Sequence, residues 1–395
     1  MKNSLRLMAG PRRIILVLVA TAILSISISA AWGDLDLSFG TFGVYTDSSG
    51  GFRVADIYVQ QDGKILVTGY TEITTNGSTR KRIALRRYGA NGGRDTTFGN
   101  NGVATNNSLI AVNADYQGKK ITVLSNGTIV VVGSGNGSAM TWTFSATGTL
   151  SYSRTLSDFT TSAEIVSIGN TAYMSGLRNG DVRLIRLTSQ GAKDTSYNGG
   201  VGHSLTPFGP GNTTHALLAE ADTGKLTVAG ILANGSLALD RKYASGADDG
   251  SLTPYLPDVN PGPIEIYPYL PFDLVRQNDG HYLVGYSRVV PSSVWDGRLS
   301  RFAMDGSFVD RRGGSIVGNV EFLGLQSNGR VILGGYYRYY RWDSQFTTSE
   351  YFDSYAGTID NLIDRTAAFT ATDKIIIAGR DTDTGALKLI RLLTN

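Results

Sequence analysis

A run of aromatic residues late in the chain is the part of the sequence best suited to contacting a ligand. It consists of Tyr336, Tyr337, Tyr339, Tyr340 and Trp342, with Arg338 and Arg341 between them. Such rings can stack on a sugar ring or a peptide, while guanidinium groups add hydrogen bonds and cation–π contacts. Alternation along a strand would turn one set of rings to a neighbouring sheet and the other to solvent. The alternative is edge packing, since tyrosine suits a half-buried pleated surface. We take these five rings, with Trp295, as the candidate ligand-binding residues.

Residue patterns typical of catalysis or metal binding are missing from the sequence. The three histidines, His203, His215 and His281, lack the spacing of a zinc site, and there is no cysteine. No G-x-S-x-G motif occurs, and no pair of carboxylates stands out by its spacing as a glycosidase acid and base. Catalytic groups assemble in space, so these absences weaken the case for an enzyme without ending it. We expect no metal and no cofactor.

The first 33 residues have the pattern of a secretory signal peptide. Basic residues precede an apolar run over residues 14–28, which ends in the small residues Ser29, Ala30 and Ala31. Cleavage after Ala31 or Gly33 fits the preference for small residues at the cut. A permanent anchor is the alternative, but the run is shorter than the roughly 20 apolar residues that a spanning helix needs. We expect residues 34–395 to be exported, to the periplasm or out of the cell, with no membrane span after cleavage.

The exported part carries almost no net charge. The whole chain has a net charge of +3, and residues 1–33 contain four basic and no acidic residues, so the remainder carries −1. A near-neutral body lacks the basic surface that phosphate-backbone binding requires, which argues against a nucleic-acid partner. The absence of cysteine excludes disulfides, so stability must come from a large apolar core.

One short phrase recurs seven times along the chain. It pairs a turn with an apolar run that ends in glycine: DGKILVTG (62–69), NGTIVVVG (126–133), GNTAYMSG (169–176), TGKLTVAG (223–230), DGHYLVG (279–285), NGRVILGG (328–335) and TDKIIIAG (372–379). Asp-Gly and Asn-Gly tolerate the positive φ angles that a tight hairpin needs. The short continuous apolar run predicts a strand that is covered on both faces.

Two further phrases complete each repeat. The second, such as RIALRRYGANG (82–92), alternates apolar and polar residues as a half-buried strand does, and in the sixth repeat we assign it to EYFDSYAG (350–357). The third is clearest as DLSFGTFGV (36–44) and DTTFGNNGV (95–103). Its first aspartate is expected to stabilise a turn through its own backbone. Each repeat therefore predicts a four-stranded antiparallel sheet.

Seven such sheets predict an all-β, seven-bladed β-propeller in a single domain over residues 34–395. Radial stacking buries both faces of every sheet, which no isolated sheet of this kind can do. After the leader, the chain begins with a third phrase and ends on a second phrase, ALKLIRLLTN (386–395). We expect the N-terminal strand to complete the last blade, so that the closed ring leaves no open sheet edge.

The combination of DLSFGTFGV, QQDGKILVTG and IALRRYGANGGRDTTFGNNGV resembles the delta-sixty repeat, a family of secreted bacterial β-propeller proteins. The resemblance is specific over residues 34–105 and fades to a glycine and apolar skeleton beyond them. It implies an exported bacterial propeller and supplies no catalytic motif.

The predicted topology also sorts the loops between the two faces of the ring. The turns after the second strands and the crossovers between blades open on one face, which we call the long-loop face; residues 71–81, 254–271, 287–296 and 337–349 are assigned to it. Function in repeat folds tends to lie on variable loops over a rigid frame. We expect a monomeric, non-catalytic binding or structural module that recognises a polysaccharide, a peptide or a surface protein there. The alternative is a secreted carbohydrate-active enzyme, a hydrolase or lyase, with acidic residues at the central channel.

Overall fold

In the computed structural model, each of the seven apolar phrases forms the second strand of an antiparallel sheet. The structure describes residues 31–75, 77–106, 115–157, 159–208, 215–231, 237–250, 273–289, 295–314, 319–336, 338–353, 359 and 361–394. These residues contain strands, turns and bends, and no helix among them. The prediction of an all-β fold is confirmed.

The sheets follow one another along the chain as blades. The short strand β1 (Val44–Asp47) precedes them. Blade one has β2 (Phe52–Val59), β3 (Ile65–Thr75), β4 (Ser78–Tyr88) and β5 (Val103–Thr105); blade two has β6 (Tyr116–Val123), β7 (Ile129–Gly135), β8 (Ser138–Phe144) and β9 (Leu150–Leu156). Blade three has β10 (Thr161–Ile168), β11 (Thr171–Arg178), β12 (Asp181–Arg186) and β13 (Ser204–Leu205); blade four has β14 (His215–Glu220), β15 (Lys225–Ile231) and β16 (Leu237–Tyr243).

The remaining three blades complete the set. Blade five has β17 (Asp273–Arg276), β18 (Tyr282–Val289), β19 (Trp295–Phe302) and β20 (Phe308–Gly314). Blade six has β21 (Val320–Leu325), β22 (Val331–Gly335), β23 (Arg338–Trp342) and β24 (Ser349–Asp353), and blade seven has β25 (Leu362–Phe369), β26 (Ile375–Asp381) and β27 (Leu387–Leu392). Strand order within each blade follows the chain, and β1 forms the outer strand of blade seven beside β27.

The blades close into a ring. The first strand of each blade contacts the first strand of the next, and β25 of blade seven contacts β2 of blade one. Closure is completed by the antiparallel pairing of β1 with β27, in which Tyr45 lies opposite Leu389. The seven-bladed propeller closed by the N-terminal strand is therefore confirmed, and this pairing covers the edges that an open row of sheets would expose.

The apolar core lies in the seams between neighbouring blades. Ile65, Leu66 and Val67 of β3 alternate between the seams on either side of blade one, and all three are fully buried. The equivalent seams join each of the other pairs of neighbours, including blades seven and one. Burial on both faces explains why these strands are continuously apolar rather than alternating.

The aspartate of the third phrase holds a turn, as predicted. Asp95 accepts hydrogen bonds from Thr97 N (3.1 Å) and Thr97 Oγ1 (2.6 Å), and its other oxygen accepts from Arg87 Nε at 2.8 Å. Arg87 also donates to the carbonyl of Ala146 in blade two at 2.6 Å. Asp194 and Arg186 repeat the ion pair at 2.8 Å, and Asp36 and Arg391 repeat it at 2.7 Å in the blade that closes the ring.

The phenylalanine and glycine of the third phrase are explained by the same turn. The Arg87 guanidinium lies 4.4 Å from the centre of the Phe98 ring, which is fully buried. Gly99 has φ of +54°, and a Cβ atom there would lie 2.3 Å from the carbonyl oxygen of Val103. Every marked position of the D-x-x-F-G pattern thus has a structural role in the fold.

One assignment of a segment to the long-loop face was wrong. Residues 338–342 form β23, the third strand of blade six, and EYFD belongs to the fourth strand β24. Asp343 then holds the turn at the opposite face by accepting hydrogen bonds from Thr347 N (2.9 Å) and Thr348 N (2.8 Å). Most of residues 71–81 extend the β3–β4 hairpin rather than forming a loop. Residues 254–271 lie outside the described part of the chain.

Candidate functional site

Strand β23 places its aromatic rings in two seams. Tyr339 is 1% exposed and packs in the seam with blade seven, where it stacks on Phe352 at 5.1 Å between ring centres. Trp342 is 4% exposed and packs in the seam with blade five, with half-buried Tyr340 stacked on it at 5.5 Å. The expectation that one set of rings faces solvent was wrong for this strand, because a blade inside a closed ring has a neighbour on each side.

The structure describes the side chain of only one of the other three candidate residues. Tyr337 lies outside the described residues. Trp295 begins β19, and its side chain is likewise outside the described part. Tyr336 follows β22 at the long-loop face, and 45% of its surface is exposed. Tyr336 is therefore the candidate ring that is placed to meet a ligand.

Tyr336 belongs to a small group that also contains two charged side chains from the inner strands. The guanidinium of Arg365 lies 4.8 Å from the centre of the Tyr336 ring. Arg365 donates to Glu321 Oε1 at 2.8 Å and to the Tyr336 carbonyl at 3.2 Å. Glu321 Oε2 is buried and has no hydrogen-bond partner among the described residues. The group, which we call the Tyr336 group, combines an exposed ring with a buried ion pair that holds the ring and its backbone in place.

Bulges in the innermost strands turn further charged side chains toward the axis. The pairing register shifts in β2, β6, β10, β21 and β25, each time near the end of the strand at the long-loop face. Bulges re-aim side chains and are common beside functional sites. Asp56, Lys120 and Glu164 directly follow the bulge in blades one, two and three.

These three residues, with Asp273 of blade five, form what we call the axial cluster. Lys120 Nζ lies 3.4 Å from Glu164 Oε1 and 3.9 Å from Asp56 Oδ1. Asp273 influences both Lys120 and Glu164 electrostatically. Three carboxylates face one ammonium group, so the cluster has an excess of negative charge when all four groups are ionised.

Burial and mutual repulsion shift the protonation of the cluster. Burial raises the pKa of Glu164 to about 8, against the opposing charge of Lys120 and with the help of Asp56 and Asp273. Burial also raises the pKa of Asp56 and of Asp273, again opposed by Lys120. The pKa of Lys120 is above its ordinary value, because the carboxylates outweigh the effect of its burial. A carboxyl group that keeps its proton near neutral pH can donate a hydrogen bond or a proton.

Two of the carboxylates also join neighbouring blades of the propeller. Asp56 Oδ2 accepts from the backbone N–H of Ile121 in the next blade at 3.0 Å. Asp273 Oδ2 accepts from the backbone N–H of Leu323 in its next blade at 3.2 Å. Both bonds satisfy donors close to a bulge, where the ladder of the partner sheet is interrupted. Glu164 contacts Lys120 and makes no such bond to a neighbouring blade among the described residues.

The axial cluster was not among the candidate residues predicted from the sequence. One signal was present: Asp56 and Lys120 each lie six residues before the Asp-Gly or Asn-Gly pair that starts at Asp62 or Asn126. Asp273 has the same spacing from the Asp-Gly pair that starts at Asp279. A charged residue at the same place of three inner strands indicates a shared environment. The signal fails for Glu164, whose hairpin is shorter.

The described residues contain no group of three or more histidine, aspartate or glutamate side chains arranged to hold a metal ion. In the part of the chain that the structure describes, no helix has the length and apolar character needed to cross a membrane.

One family model matches a part of the chain. Residues 60–98 match a family described as a β-propeller domain of unknown function, DUF5122. No curated protein matches the chain significantly.

Solved structures that resemble the chain include the following three. They are the BP39L lectin from Burkholderia pseudomallei (12% identity, 87% of this chain and 97% of that one, TM-score 0.49), the N-terminal domain of Nup159 (10%, 89% and 94%, 0.46) and the AfRom2 CNH domain (10%, 88% and 98%, 0.46). Identities this low say nothing about ligand or activity.

Proposed function

We propose that this chain is an exported binding propeller that recognises a polysaccharide at the long-loop face, with the Tyr336 group as the contact site. The observation that carries the proposal is the exposed Tyr336 ring, which the buried Arg365–Glu321 ion pair holds in place at the long-loop face. An aromatic face of this kind packs on the apolar side of a sugar.

Export and ring geometry complete the proposal. The leader over residues 1–33 would deliver the propeller to the periplasm or the exterior, as the resemblance to the delta-sixty repeat implies. The near-zero charge of the remainder suits a neutral glycan better than a strongly charged polymer. Tyr339 packs beneath the site in the seam with blade seven, whereas Trp342 lies at the other end of β23, near the opposite face. Tyr340, Tyr337 and Trp295 remain candidates for the margin of the site. The propeller would act as a monomer.

Replacing Tyr336 by alanine is expected to weaken glycan binding about fivefold, since one stacked ring contributes roughly 1 kcal/mol. The measurement is a titration of the purified propeller against the best ligand found on a glycan array. Tyr152→Ala is the matched control, because Tyr152 is 38% exposed and has Arg154 5.3 Å from its ring, but lies on β9 of blade two. Equal affinity of both variants would move the site elsewhere, and binding only to peptides would exclude a polysaccharide ligand.

A second candidate function is cleavage of a polysaccharide at the axial cluster. The observation that favours it is the convergence of Asp56, Glu164 and Asp273, with Glu164 holding its proton to about pH 8. Glycoside cleavage uses one protonated carboxyl group as acid and a second, ionised one as base or nucleophile.

Cleavage predicts new reducing ends when the protein is incubated with the glycans that it binds. Glu164→Gln is expected to abolish their formation while leaving glycan binding at the Tyr336 group intact. Product formation that survives this change would exclude Glu164 as the acid. A glycan that is bound and stays at full length would leave only the binding function.

A further inference from the structure

The sequence allows two cleavage positions for the leader, and the fold distinguishes between them. The small-residue preference is met by a cut between Ala31 and Trp32 and by a cut between Gly33 and Asp34. The first would keep Trp32 and Gly33 in the exported chain, and the second would remove both. The contacts of these two residues in the folded propeller therefore show which of the two cleaved chains keeps its ring closure intact.

Trp32 ties the N-terminal stretch to blade six. Its ring packs edge-on against Phe352 of β24, with 4.6 Å between ring centres. On its other side the Arg341 guanidinium of β23 lies 4.8 Å from the ring centre. Trp32 also packs against the apolar core of the seam between blades six and seven. Without it, Phe352 and one side of Arg341 would lose their cover.

Gly33 continues the attachment along β27. Its backbone N–H donates to the Leu393 carbonyl at 2.9 Å, and Leu393 N–H donates back to the Asp34 carbonyl at 2.9 Å. Gly33 has φ of +89°, and a Cβ atom there would lie 2.6 Å from Phe352 Cδ1. The backbone at Gly33 thus passes directly against Phe352 of blade six. The N-terminal stretch therefore contacts blade six as closely as it contacts blade seven.

The opposite end of the same stretch is fitted to blade one. Phe39 is fully buried in the seam between blades seven and one, beneath Arg391 at 4.7 Å from the ring centre. The N-terminal stretch therefore spans two seams, with Trp32 holding the first and Phe39 the second. Removal of Trp32 and Gly33 would leave the first seam open at the place where the ring closes.

We infer that signal cleavage occurs at the Ala31–Trp32 bond and that Trp32 is the first residue of the exported protein. The inference rests on the proposed export. Ser29 and Ala31 then occupy the two small-residue positions before the cut, and the released chain retains every contact described for Trp32 and Gly33.

The direct test is to express the full chain in an exporting bacterial host and determine the N-terminus of the released protein by mass spectrometry. A chain that starts at Trp32 is the expected result. An exported chain that starts at Asp34 or later would overturn the inference and leave export intact. A chain that keeps residues 1–31 would overturn cleavage itself and, with it, this part of the proposed function.

A second measurement tests the physical reason separately. Two chains are produced without a leader, one beginning at Trp32 and one at Asp34, and their thermal unfolding is compared. The shorter chain is expected to melt several degrees lower. Trp32→Ala in the longer chain is expected to reproduce most of this loss, and Leu37→Ala is the control, because Leu37 is 66% exposed. Equal melting of the two chains would mean that Trp32 does not hold the seam.

Discussion

Replacing Asp47 by alanine is expected to lower the free energy of unfolding by about 3–5 kcal/mol, because it leaves buried partners uncompensated. The Asp47 side chain is 2% exposed at the end of β1. It accepts hydrogen bonds from Tyr88 Oη at 2.6 Å and from Arg86 Nη1 at 3.1 Å, and it also pairs with Arg94. The three partners belong to blade one, so Asp47 locks the outer strand of blade seven to the blade that follows it around the ring.

The measurement is urea unfolding of the wild type and of two variants at pH 7. Asp62→Ala is the control, because Asp62 forms an ion pair with Lys64 at 2.8 Å but its side chain is 53% exposed. An exposed pair of this kind contributes less than about 1 kcal/mol. If both variants lost the same small amount, the buried network would not be what holds the closure seam.

The Asp47 network also predicts how the wild type responds to acid. Burial acts to raise the pKa of Asp47, but the hydrogen bonds from Arg94, Ser49 and Tyr88 outweigh it and hold this pKa well below its ordinary value. The unfolded chain therefore takes up the proton first as the pH falls, so stability is present above about pH 4 and decreases below it. Asp47→Ala should lack this share of the acid sensitivity.

Replacing Glu164 by glutamine is expected to make the stability of the protein nearly independent of pH between about 5 and 8. The wild type, in contrast, is expected to become less stable as the pH rises across this range. Burial raises the pKa of Glu164 to about 8 in the folded protein, whereas the ordinary value is 4.5. The folded chain keeps this proton to a higher pH than the unfolded chain does. Stability is therefore greatest below the ordinary pKa and falls as the pH approaches 8, by roughly 3 kcal/mol in total.

The experiment is urea unfolding at several pH values between 5 and 8.5. In this range, carboxylates with lowered pKa values are ionised in both the folded and the unfolded chain, so they do not add to the pH dependence. The wild type should lose stability steadily across this range, and Glu164→Gln should show a flatter profile. Glu72→Gln is the control, because Glu72 is 34% exposed at the long-loop face and pairs with Arg53 at 3.5 Å. Parallel profiles for the wild type and Glu164→Gln would mean that Glu164 is ionised at neutral pH, which would also remove the acid from the cleavage hypothesis.

The propeller could be predicted because its determinants repeat. Hairpin phrases such as DGKILVTG specify a turn and a doubly buried strand within eight residues, and this local information survives wherever the phrase occurs. Closure could be predicted for the same reason, since the chain begins with a third phrase and ends with a second one. The Asp36 turn and its bond to Arg391 at 2.7 Å then follow from the pattern that Asp95 and Arg87 share.

Blade six was misread because its third phrase has no D-x-x-F-G pattern. Both Arg338–Trp342 and Ser349–Asp353 are short, aromatic and suited to strands, so the sequence offered no means of deciding which was third and which fourth. The error moved the aromatic run from a strand to a loop and thereby overstated its exposure. Burial of Tyr339 and Trp342 depends on the neighbouring blades, which no local pattern describes.

The sequence by itself determined the repeat unit, the blade number and the way in which the ring closes, because each depends on short-range turn chemistry and on the period of apolar residues. Only the tertiary structure decided which side chains meet. Asp56, Lys120, Glu164 and Asp273 lie on four different blades and approach one another only where inner strands, three of them bulged, converge on the axis. Their shifted protonation is a consequence of shared burial and of the charges that meet there, and both are properties of the assembled ring rather than of any one repeat.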